Sequence, residues 1–541
     1  MRTTNTLRHT HILFALLFTS LCSYAQISSD STLKNIEVTT NYIPDVAESK
    51  KIDIQPNLEE PKVETPTYNY IFPNAAYKPK SVYSPIDPIF IKKEPEEELH
   101  DNYLEIGGGN YLTSYLDANI YNTRDKYYTY GLQLNHHAAS ASKNPNQALY
   151  SQNRIKAFGL REKGNDLYAD IDYQRNVVHY YGYLEDTTSR ELGDLNQIYN
   201  DLNATAEWSI QKRKIENVLD FDFNLFDKLG ENENTFRATN TSSLKLGSGK
   251  LHIDLGAMYT TLTETAIYDR LFIDIRPHYE FDYKKYTLDL GITLNYLNNF
   301  GSINVIYPAP FVKAETYIVP DKLRAYLGVT GELEKNTLRS LSYENLFLGN
   351  NTNYNNPRGF QFYGGMNGSF KRFIEFGIKL QHEIIQDQYF FINDTTTLRN
   401  FTTVYDDLNR TTISGEVKFD VNQNIDLRFR GNFYSYQPNK ENEAWHMPTY
   451  DASLFTTVRI ADKIYINGGY FATSSRKSRD LSGTEYSLAA INDINVGAEY
   501  RYKKNISGFI NVNNILNQRY ELWNFYRAQG LNVLAGVTFS L

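Results

Sequence analysis

Few residues of this sequence have types and spacings that could support catalysis or metal binding. His136 and His137 are adjacent, but successive side chains of a strand point to opposite faces, so we do not expect them to bind one ion together. The single cysteine, Cys22, lies near the N-terminus. Three further histidines have no spacing that links them to a nucleophile: His252, His278 and His382. We therefore predict a protein that is not an enzyme and needs no cofactor or metal ion.

Charged side chains form a more extensive pattern. They recur at every second position of segments in which apolar and polar residues alternate, so they would share one face of a β-sheet. In a sheet closed into a barrel, this inner face would line the lumen. The candidate lumen-facing charges are Asp170, Asp172, Asp220, Asp222, Asp254, Asp274, Arg276, Glu280, Arg428 and Arg430. Two interpretations stay open: the charges set a field that selects a solute, or they pair with one another and hold the wall in shape.

The composition limits the elements that can position these side chains. The chain has 541 residues, of which 14% are aromatic, including 44 tyrosines. This aromatic content is too high for a disordered chain, and the mean hydropathy of −0.51 excludes a bundle of membrane helices. The net charge of −8 at pH 7 argues against nucleic acid as a partner.

Residues 1–25 have the pattern of a secretory signal peptide. Two arginines precede the apolar run 12–18, and Ser23-Tyr24-Ala25 fits a small-residue cleavage site. The run is too short to cross a membrane permanently. We expect export past the inner membrane and a mature chain without a thiol.

Residues 26–100 form a second region, which is rich in proline. Nine of the 17 prolines fall between residues 44 and 95. Proline removes a backbone donor and fixes φ, so this stretch builds neither a helix nor the interior of a sheet. We expect an extended segment in the periplasm or in the lumen of the next domain, either as a disordered tether or as an ordered strap anchored by its tyrosines.

From residue 101 to Leu541, apolar and polar residues alternate with the period of a half-buried strand. Very short turns alternate with mostly longer connections, as in outer-membrane barrels, and the connections join about 22 strands. Open sheets seldom exceed about ten strands, and a sheet in lipid must close on itself. The pattern predicts an all-β fold: a transmembrane antiparallel β-barrel of about 22 strands, preceded by the extended Pro-rich segment.

The last strand carries a candidate insertion signal. Val537, Phe539 and Leu541 lie on one face of an alternating segment that ends at Leu541. Such a segment is the pattern that barrel-insertion machinery reads. The excess of tyrosine and phenylalanine fits the aromatic girdles that contact lipid at the two membrane interfaces.

Motifs in residues 101–541 resemble the barrel of TonB-dependent outer-membrane receptors. Gly107-Gly108-Gly109-Asn110-Tyr111 looks like the Gly-rich first hairpin of those barrels, and Asn514-Ile515-Leu516-Asn517-Gln518-Arg519-Tyr520 is similar to their penultimate-strand motif. A barrel of 22 strands is also typical of the family. The chain departs from the family before the barrel, where residues 26–100 are too few and too rich in proline for the usual globular plug. We expect a receptor-like barrel that lacks the standard plug domain.

The resemblance also implies a coupling segment. Leu33-Lys34-Asn35-Ile36-Glu37-Val38-Thr39 resembles a TonB box, which makes Ile36, Glu37, Val38 and Thr39 the expected contacts with TonB. Such a segment adds as a strand to its partner, so backbone hydrogen bonds supply the affinity. The same residues fit an exposed extended tail, and the sequence leaves both interpretations open.

Two functions follow from these predictions. The first is a cell outer-membrane barrel of the TonB-dependent-receptor type that takes part in transport of a solute across the membrane. The second is a non-transporting scaffold subunit of an outer-membrane assembly or surface complex. The expected partners are outer-membrane lipid, the barrel-insertion machinery, and TonB or another outer-membrane or periplasmic protein.

Overall fold

The computed structural model describes residues 102–540 except 123–124, 126, 141–148, 182–195, 213, 264–266, 300–303, 351–353, 372, 396–399, 423 and 462. The expected signal peptide, the Pro-rich segment, the candidate TonB contacts 36–39 and the terminal Leu541 lie outside the described residues.

Long antiparallel strands account for most of the described chain. The barrel strands are β1 (Asn102–Gly109), β2 (Thr113–Tyr121), β3 (Tyr128–Ala139), β4 (Tyr150–Lys163), β5 (Asn165–His179), β6 (Asn196–Lys212), β7 (Ile215–Lys228), β8 (Glu231–Leu246), β9 (Gly249–Thr263), β10 (Ile267–Tyr283), β11 (Tyr286–Asn299), β12 (Val305–Val319), β13 (Leu323–Leu333), β14 (Arg358–Phe370), β15 (Ile374–Asn393), β16 (Phe401–Asn422), β17 (Ile425–Pro438), β18 (Tyr450–Ile460), β19 (Ile464–Thr473), β22 (Ile491–Lys503), β23 (Ile506–Asn513) and β26 (Asn532–Ser540).

Three further elements lie in the connections between barrel strands. Two small hairpins are β20 (Arg476–Arg479) with β21 (Glu485–Leu488), and β24 (Glu521–Trp523) with β25 (Tyr526–Arg527). One short helix, α1 (Leu338–Glu344), lies between β13 and β14. No helix within the described ranges has the length and apolar character needed to span a membrane.

The 22 barrel strands form one sheet that closes on itself. Each barrel strand pairs with its neighbours in chain order, and β1 pairs with β26 to complete the ring. Closure leaves no strand edge with unpaired backbone groups, which is what a wall in lipid requires. The prediction of an all-β, 22-stranded antiparallel barrel is confirmed.

The two ends of the barrel differ in their connections. The end that holds the start of β1 and the end of β26 carries short turns, such as Gly164 and residues 284–285; we call it the short-turn rim. The opposite end carries the longer connections, including residues 334–357, and is called the long-loop rim. Chain direction alternates strand by strand, so successive connections fall at opposite ends, although the long-loop rim also carries short connections such as residues 110–112 and 229–230.

Side-chain alternation explains the wall. In β11, Leu290 and Ile292 are 42% and 52% exposed, whereas Thr293 and Asn295 on the other face are almost fully buried. Because successive strand residues point to opposite faces, the apolar set lies outside and the polar set inside. Only one strand face must be apolar, which accounts for the low mean hydropathy of a membrane-type wall.

Glycines close the seam between β1 and β26. A Cβ on Gly109 would overlap the carbonyl oxygen of Val533, and one on Gly536 would overlap the carbonyl oxygen of Ile106. Gly109 pairs with Leu534 in the antiparallel register. Glycine at these positions therefore allows the two strand backbones to approach closely, which is a known use of glycine in sheets.

Candidate functional site

The first predicted lumenal charges lie on β5, on the face opposite to its exposed apolar side chains. Ile171 is 58% exposed, whereas Asp170 and Asp172 are 8% and 9% exposed. Lys156 Nζ lies 3.4 Å from an Asp170 oxygen, and Arg154 donates to Asp172 over 2.6 Å. Both carboxylates are therefore balanced by basic side chains of the neighbouring strand β4.

The predicted charge Asp254 of β9 lies beside one histidine of β10, which also contacts Asp289 of β11. His278 Nδ1 lies 2.7 Å from Asp289, and its Nε2 lies 3.5 Å from Asp254. The His278 ring stacks on the His252 ring with their centroids 4.7 Å apart. Three neighbouring strands thus contribute to one hydrogen-bonded cluster on the inner face.

The remaining predicted charges also have defined surroundings. Asp274 contacts Lys335 of the β13–β14 connection, and Arg276 lies 5.4 Å from the centre of the Phe311 ring. Glu280 lies opposite Lys250 in the register of β9 and β10. The partners of the others are Thr239 for Asp220, Thr205 for Asp222, and Glu416 for both Arg428 and Arg430.

The ten predicted charges do not converge on one site. They are distributed over β5, β7, β9, β10 and β17. Within the described ranges, no group of three or more His, Cys, Asp or Glu side chains is arranged to hold a metal ion. In the predicted insertion signal, Val537 and Phe539 of β26 are 43% and 36% exposed on the outer face.

The β13–β14 connection, residues 334–357, extends across the long-loop rim, and we call it the mouth loop. It is built on α1, where the Thr337 hydroxyl accepts a 3.0 Å bond from the Ser340 N–H and the Ser340 hydroxyl accepts a 2.8 Å bond from the Thr337 N–H. This reciprocal capping box starts the helix. Leu338 and Leu341 are buried and provide its apolar side.

A wall carboxylate holds the start of α1. Glu233 of β8 is fully buried and accepts hydrogen bonds from the main-chain N–H groups of Leu338 (2.7 Å) and Arg339 (3.1 Å). These N–H groups have no partner within a helix. Arg270 Nη2 lies 4.0 Å from the same carboxylate, so the buried negative charge is partly balanced.

A second wall carboxylate binds side chains of the same helix. Asp201 of β6 accepts hydrogen bonds from Arg339 Nε at 2.8 Å and from the Tyr343 hydroxyl at 2.6 Å. Asn224 Nδ2 of β7 donates to the other oxygen of Asp201 over 2.5 Å. Asp201 is 2% exposed, so these are hydrogen bonds to a buried charge, which are stronger than neutral ones.

Wall side chains also bind main-chain carbonyl groups of the mouth loop. Because these hydrogen bonds go to main-chain groups, they hold the loop backbone along β6, β7 and β10 independently of the loop side chains. The donors and acceptors are Tyr199 Oη to Leu346 O at 2.6 Å, Lys228 Nζ to Gly349 O at 2.9 Å, and Arg270 Nη1 to Asn336 O at 2.9 Å.

The far side of the mouth loop contacts β15 and β16. The Gly349 N–H donates to Phe401 O over 2.7 Å, and the Phe401 N–H donates to Phe347 O over 3.0 Å. The Tyr389 hydroxyl donates to Glu344 over 2.5 Å. Because β6–β8 and β15–β16 lie nearly opposite in the ring of 22 strands, the mouth loop bridges the opening.

Other long connections pack beside the mouth loop. Trp523 of β24 lies against Phe401 and His446, and the Phe347 ring stacks on Tyr526 of β25 with their centroids 3.5 Å apart. Burial lowers the pKa of His446 to about 3, and the nearby charge of Arg476 acts in the same direction. His446 is therefore neutral at pH 7, with its Nδ1 placed 2.9 Å from Phe391 O.

Glu344 at the end of α1 has an unusual ionisation. Burial between the mouth loop and the wall raises the pKa of Glu344 to about 7, although the hydrogen bond from Tyr389 acts in the opposite direction. The closed arrangement of the loop therefore includes a carboxyl group that titrates near neutral pH.

The sequence pattern predicted longer connections alternating with short turns, but it did not predict α1 or the wall contacts of this helix. One local signal was present, because Thr337 followed three residues later by Ser340 can form reciprocal N-terminal caps. No comparable signal marks Glu233, Asp201 or Arg270 as partners, since these residues lie 66 to 142 positions away in the chain.

No protein-family model matches the chain, and no curated protein sequence matches it. Solved structures do match. The FrpB iron transporter from Neisseria meningitidis (F3-3 variant) has a TM-score of 0.65 at 9% identity, with 82% of each chain covered. The siderophore receptor PiuA from Acinetobacter baumannii has a TM-score of 0.61 at 11% identity, with 81% of each chain covered.

The copper transporter OprC has a TM-score of 0.62 at 10% identity, with 83% of this chain and 81% of that chain covered. The matched structures are TonB-dependent receptors. At this level of identity the likeness shows the fold. The chain is thus a 22-stranded barrel with the fold of TonB-dependent outer-membrane receptors.

Proposed function

We propose that this chain is an outer-membrane barrel of the TonB-dependent-receptor type that takes part in transport of a solute across the outer membrane. The observation that carries the proposal is a closed wall, apolar outside and polar inside, whose long-loop rim is bridged by the chain's own mouth loop. The fold neighbours support it, since they are described as a siderophore receptor and as iron and copper transporters.

The mouth loop would act as the gate of such a transporter. Its hydrogen bonds and ion pairs to Asp201, Glu233 and Arg270 can be replaced by water when the loop moves away. Movement would also expose its buried apolar side chains, such as Leu338, which packs in a cluster with wall residues. A solute entering from the long-loop side would have to displace the loop or pass beside it. The polar wall below would then be its path.

The N-terminal region supplies the remaining parts of the proposal. Residues 1–25 would direct export, and residues 26–100 would lie in the periplasm or in the lumen, in place of a standard plug. Within them, Ile36, Glu37, Val38 and Thr39 would pair as a strand with TonB. Barrel-insertion machinery would read Val537, Phe539 and Leu541. Each of these assignments stays a prediction from the sequence.

Uptake by cells tests the transport proposal. Cells that produce the full chain, a variant without residues 33–40, or no barrel are grown in the same medium, and loss of small solutes from that medium is followed by mass spectrometry. Depletion of a solute by the full chain but not by the shortened chain supports coupled transport. Equal depletion by all three strains contradicts it.

A non-transporting scaffold is the second candidate. The aromatic cluster of Phe401, Trp523 and Tyr526 at the long-loop rim favours it, because a mouth capped by packed loops could also serve as a docking wall. Purification of the full chain from native membranes in mild detergent separates the two functions. A stoichiometric partner protein together with no solute depletion would favour the scaffold.

A further inference from the structure

The short-turn rim has a strong excess of positive charge. Among the described residues of its turns, and the single strand residue on either side, there are ten lysines and two acidic residues, Asp125 and Asp321. None of the ten forms an ion pair with another described residue. All ten are exposed, and we call this set the basic rim: Lys163, Lys212, Lys214, Lys284, Lys285, Lys322, Lys371, Lys463, Lys503 and Lys504.

Five of the ten lysines of the basic rim lie over aromatic rings of the outer wall surface. Lys284 Nζ lies 5.3 Å from the ring centre of Tyr283, and Lys371 Nζ lies 5.7 Å from that of Phe370. The two rings are 55% and 60% exposed. The same arrangement occurs for Lys163 with Tyr127, Lys285 with Tyr286, and Lys503 with Tyr502. These ammonium groups therefore lie on the lipid-facing side of the rim.

Cations at the long-loop rim are arranged differently. There, Arg339 lies over Tyr343 and Arg479 lies over Trp445, and both arginines also contact carboxylates. Their aromatic partners belong to loops that pack across the opening. Among the described residues, the cations that project outward over exposed aromatic rings thus lie at the short-turn rim.

We propose that the basic rim binds the headgroups of an anionic phospholipid, such as phosphatidylglycerol, in the leaflet that the short turns contact. Aromatic rings at a membrane interface keep one end in the apolar region, and the flexible lysine stem carries the ammonium group to the phosphate level. Basic residues near an anionic surface are attracted over about a Debye length. An acidic peptide at the lumen opening would meet these side chains less well, because they lie over the outer surface.

The proposal rests on the membrane location of the barrel but not on transport. It therefore goes beyond the proposed function, and the two can fail separately.

Trp208 of β6 provides a natural reporter. It is 42% exposed and stands four residues before Lys212, close to the basic rim. The other two tryptophans, Trp445 and Trp523, lie in the loops of the long-loop rim. Brominated lipid quenches tryptophan fluorescence on contact, so quenching of Trp208 reports the lipid next to this part of the rim.

The experiment compares two quenchers in the full-length protein. The chain is reconstituted in phosphatidylcholine vesicles that contain increasing fractions of brominated phosphatidylglycerol or brominated phosphatidylcholine. We expect phosphatidylglycerol to quench Trp208 at about a fivefold lower mole fraction, which corresponds to about 1 kcal/mol for a basic side chain near the surface. High salt should reduce the preference, and inorganic phosphate should compete no better than chloride of equal ionic strength.

Two double variants test whether the lysines next to Trp208 bind the anionic lipid. Lys212→Ser with Lys214→Ser should lower the preference measured at Trp208 at least twofold. Lys284→Ser with Lys285→Ser, the matched change at another turn of the same rim, should leave it unchanged. Equal quenching by the two lipids in low salt, or an equal loss in both double variants, would overturn the proposal. Absence of quenching by either lipid would instead contradict the membrane location.

Discussion

Glu233 in the barrel wall and Leu338 in the mouth loop are joined by a 2.7 Å hydrogen bond, in which the Leu338 N–H donates to the buried carboxylate. They are 105 residues apart in sequence. The same carboxylate accepts from the next N–H of α1 and lies near Arg270. Together with Asp201 and Arg270, Glu233 thus joins the start of the loop helix to the barrel.

Removing the charge of Glu233 should loosen the mouth loop and leave the barrel intact. In Glu233→Gln, the N–H groups of α1 lose a charged acceptor, and we expect a loss of loop docking of about 1.5–3 kcal/mol. Hydrogen exchange of the α1 amides in detergent measures it. Glu280→Gln, which changes an acidic side chain of β10 outside the mouth loop contacts, is the control. Equal protection of α1 in both variants would argue against this role of Glu233.

Docking of the mouth loop should weaken as the pH rises. The pKa of Glu344 is about 7 in the docked loop, which is above the ordinary glutamate value of 4.5. The docked state therefore binds the proton more tightly. The stabilisation of the docked loop by Glu344 is therefore complete below about pH 4.5 and is lost as the pH rises through 7. Exchange of α1 amides, corrected for chemical rates, should increase across this window. In Glu344→Gln, which imitates the protonated acid, the pH dependence should be smaller; an identical dependence would exclude Glu344 as its source.

A disulfide should lock the mouth loop to the connection between β15 and β16. A Cβ built on Gly349 lies 3.2 Å from Asn400 Cβ, a few tenths of an ångström below the usual range for a disulfide. We expect Gly349→Cys with Asn400→Cys to oxidise and to block solute depletion by cells, with recovery after reduction. Each single cysteine variant is the control. Full transport by the oxidised double variant would show that the loop need not move.

Closure of the barrel should depend on Gly109 but not on Gly108. A side chain at Gly109 overlaps the Val533 carbonyl, whereas a Cβ at Gly108 has its nearest atom, Thr113 O, at 3.6 Å. Gly109→Val should separate β1 from β26 and reduce the fraction of folded barrel, and Gly108→Val should not. The shift in electrophoretic mobility of unheated samples measures the folded fraction. Similar folded fractions in the two variants would contradict the seam argument.

Deletion of residues 40–100 tests whether the Pro-rich region occludes the lumen. If it does, the shortened chain should conduct more ions in planar bilayers than the full chain. The mouth loop is present in both proteins, so a difference in conductance between them is due to residues 40–100. An unchanged conductance would remove the idea that this chain plugs itself.

The wall could be predicted from sequence because its signal is local and repeated. Leu290 and Ile292 alternate with polar residues at the strand period, and this period alone decides which face of the wall is apolar. The alternation of short and long connections likewise predicted the strand count. Charges such as Asp170 could be placed on the polar face, but their partners could not, because Lys156 becomes a neighbour only through strand register.

The sequence by itself determined the strands, their number, and the aromatic and basic character of the turns, since these depend on residues close together in the chain. Only the tertiary structure decided that α1 lies against Glu233 and Asp201 and that residues 334–357 bridge the opening. The physical reason is closure of the ring. It brings β6 and β8 opposite β15 and β16, and hydrogen bonds between such distant segments leave no periodic trace in the sequence.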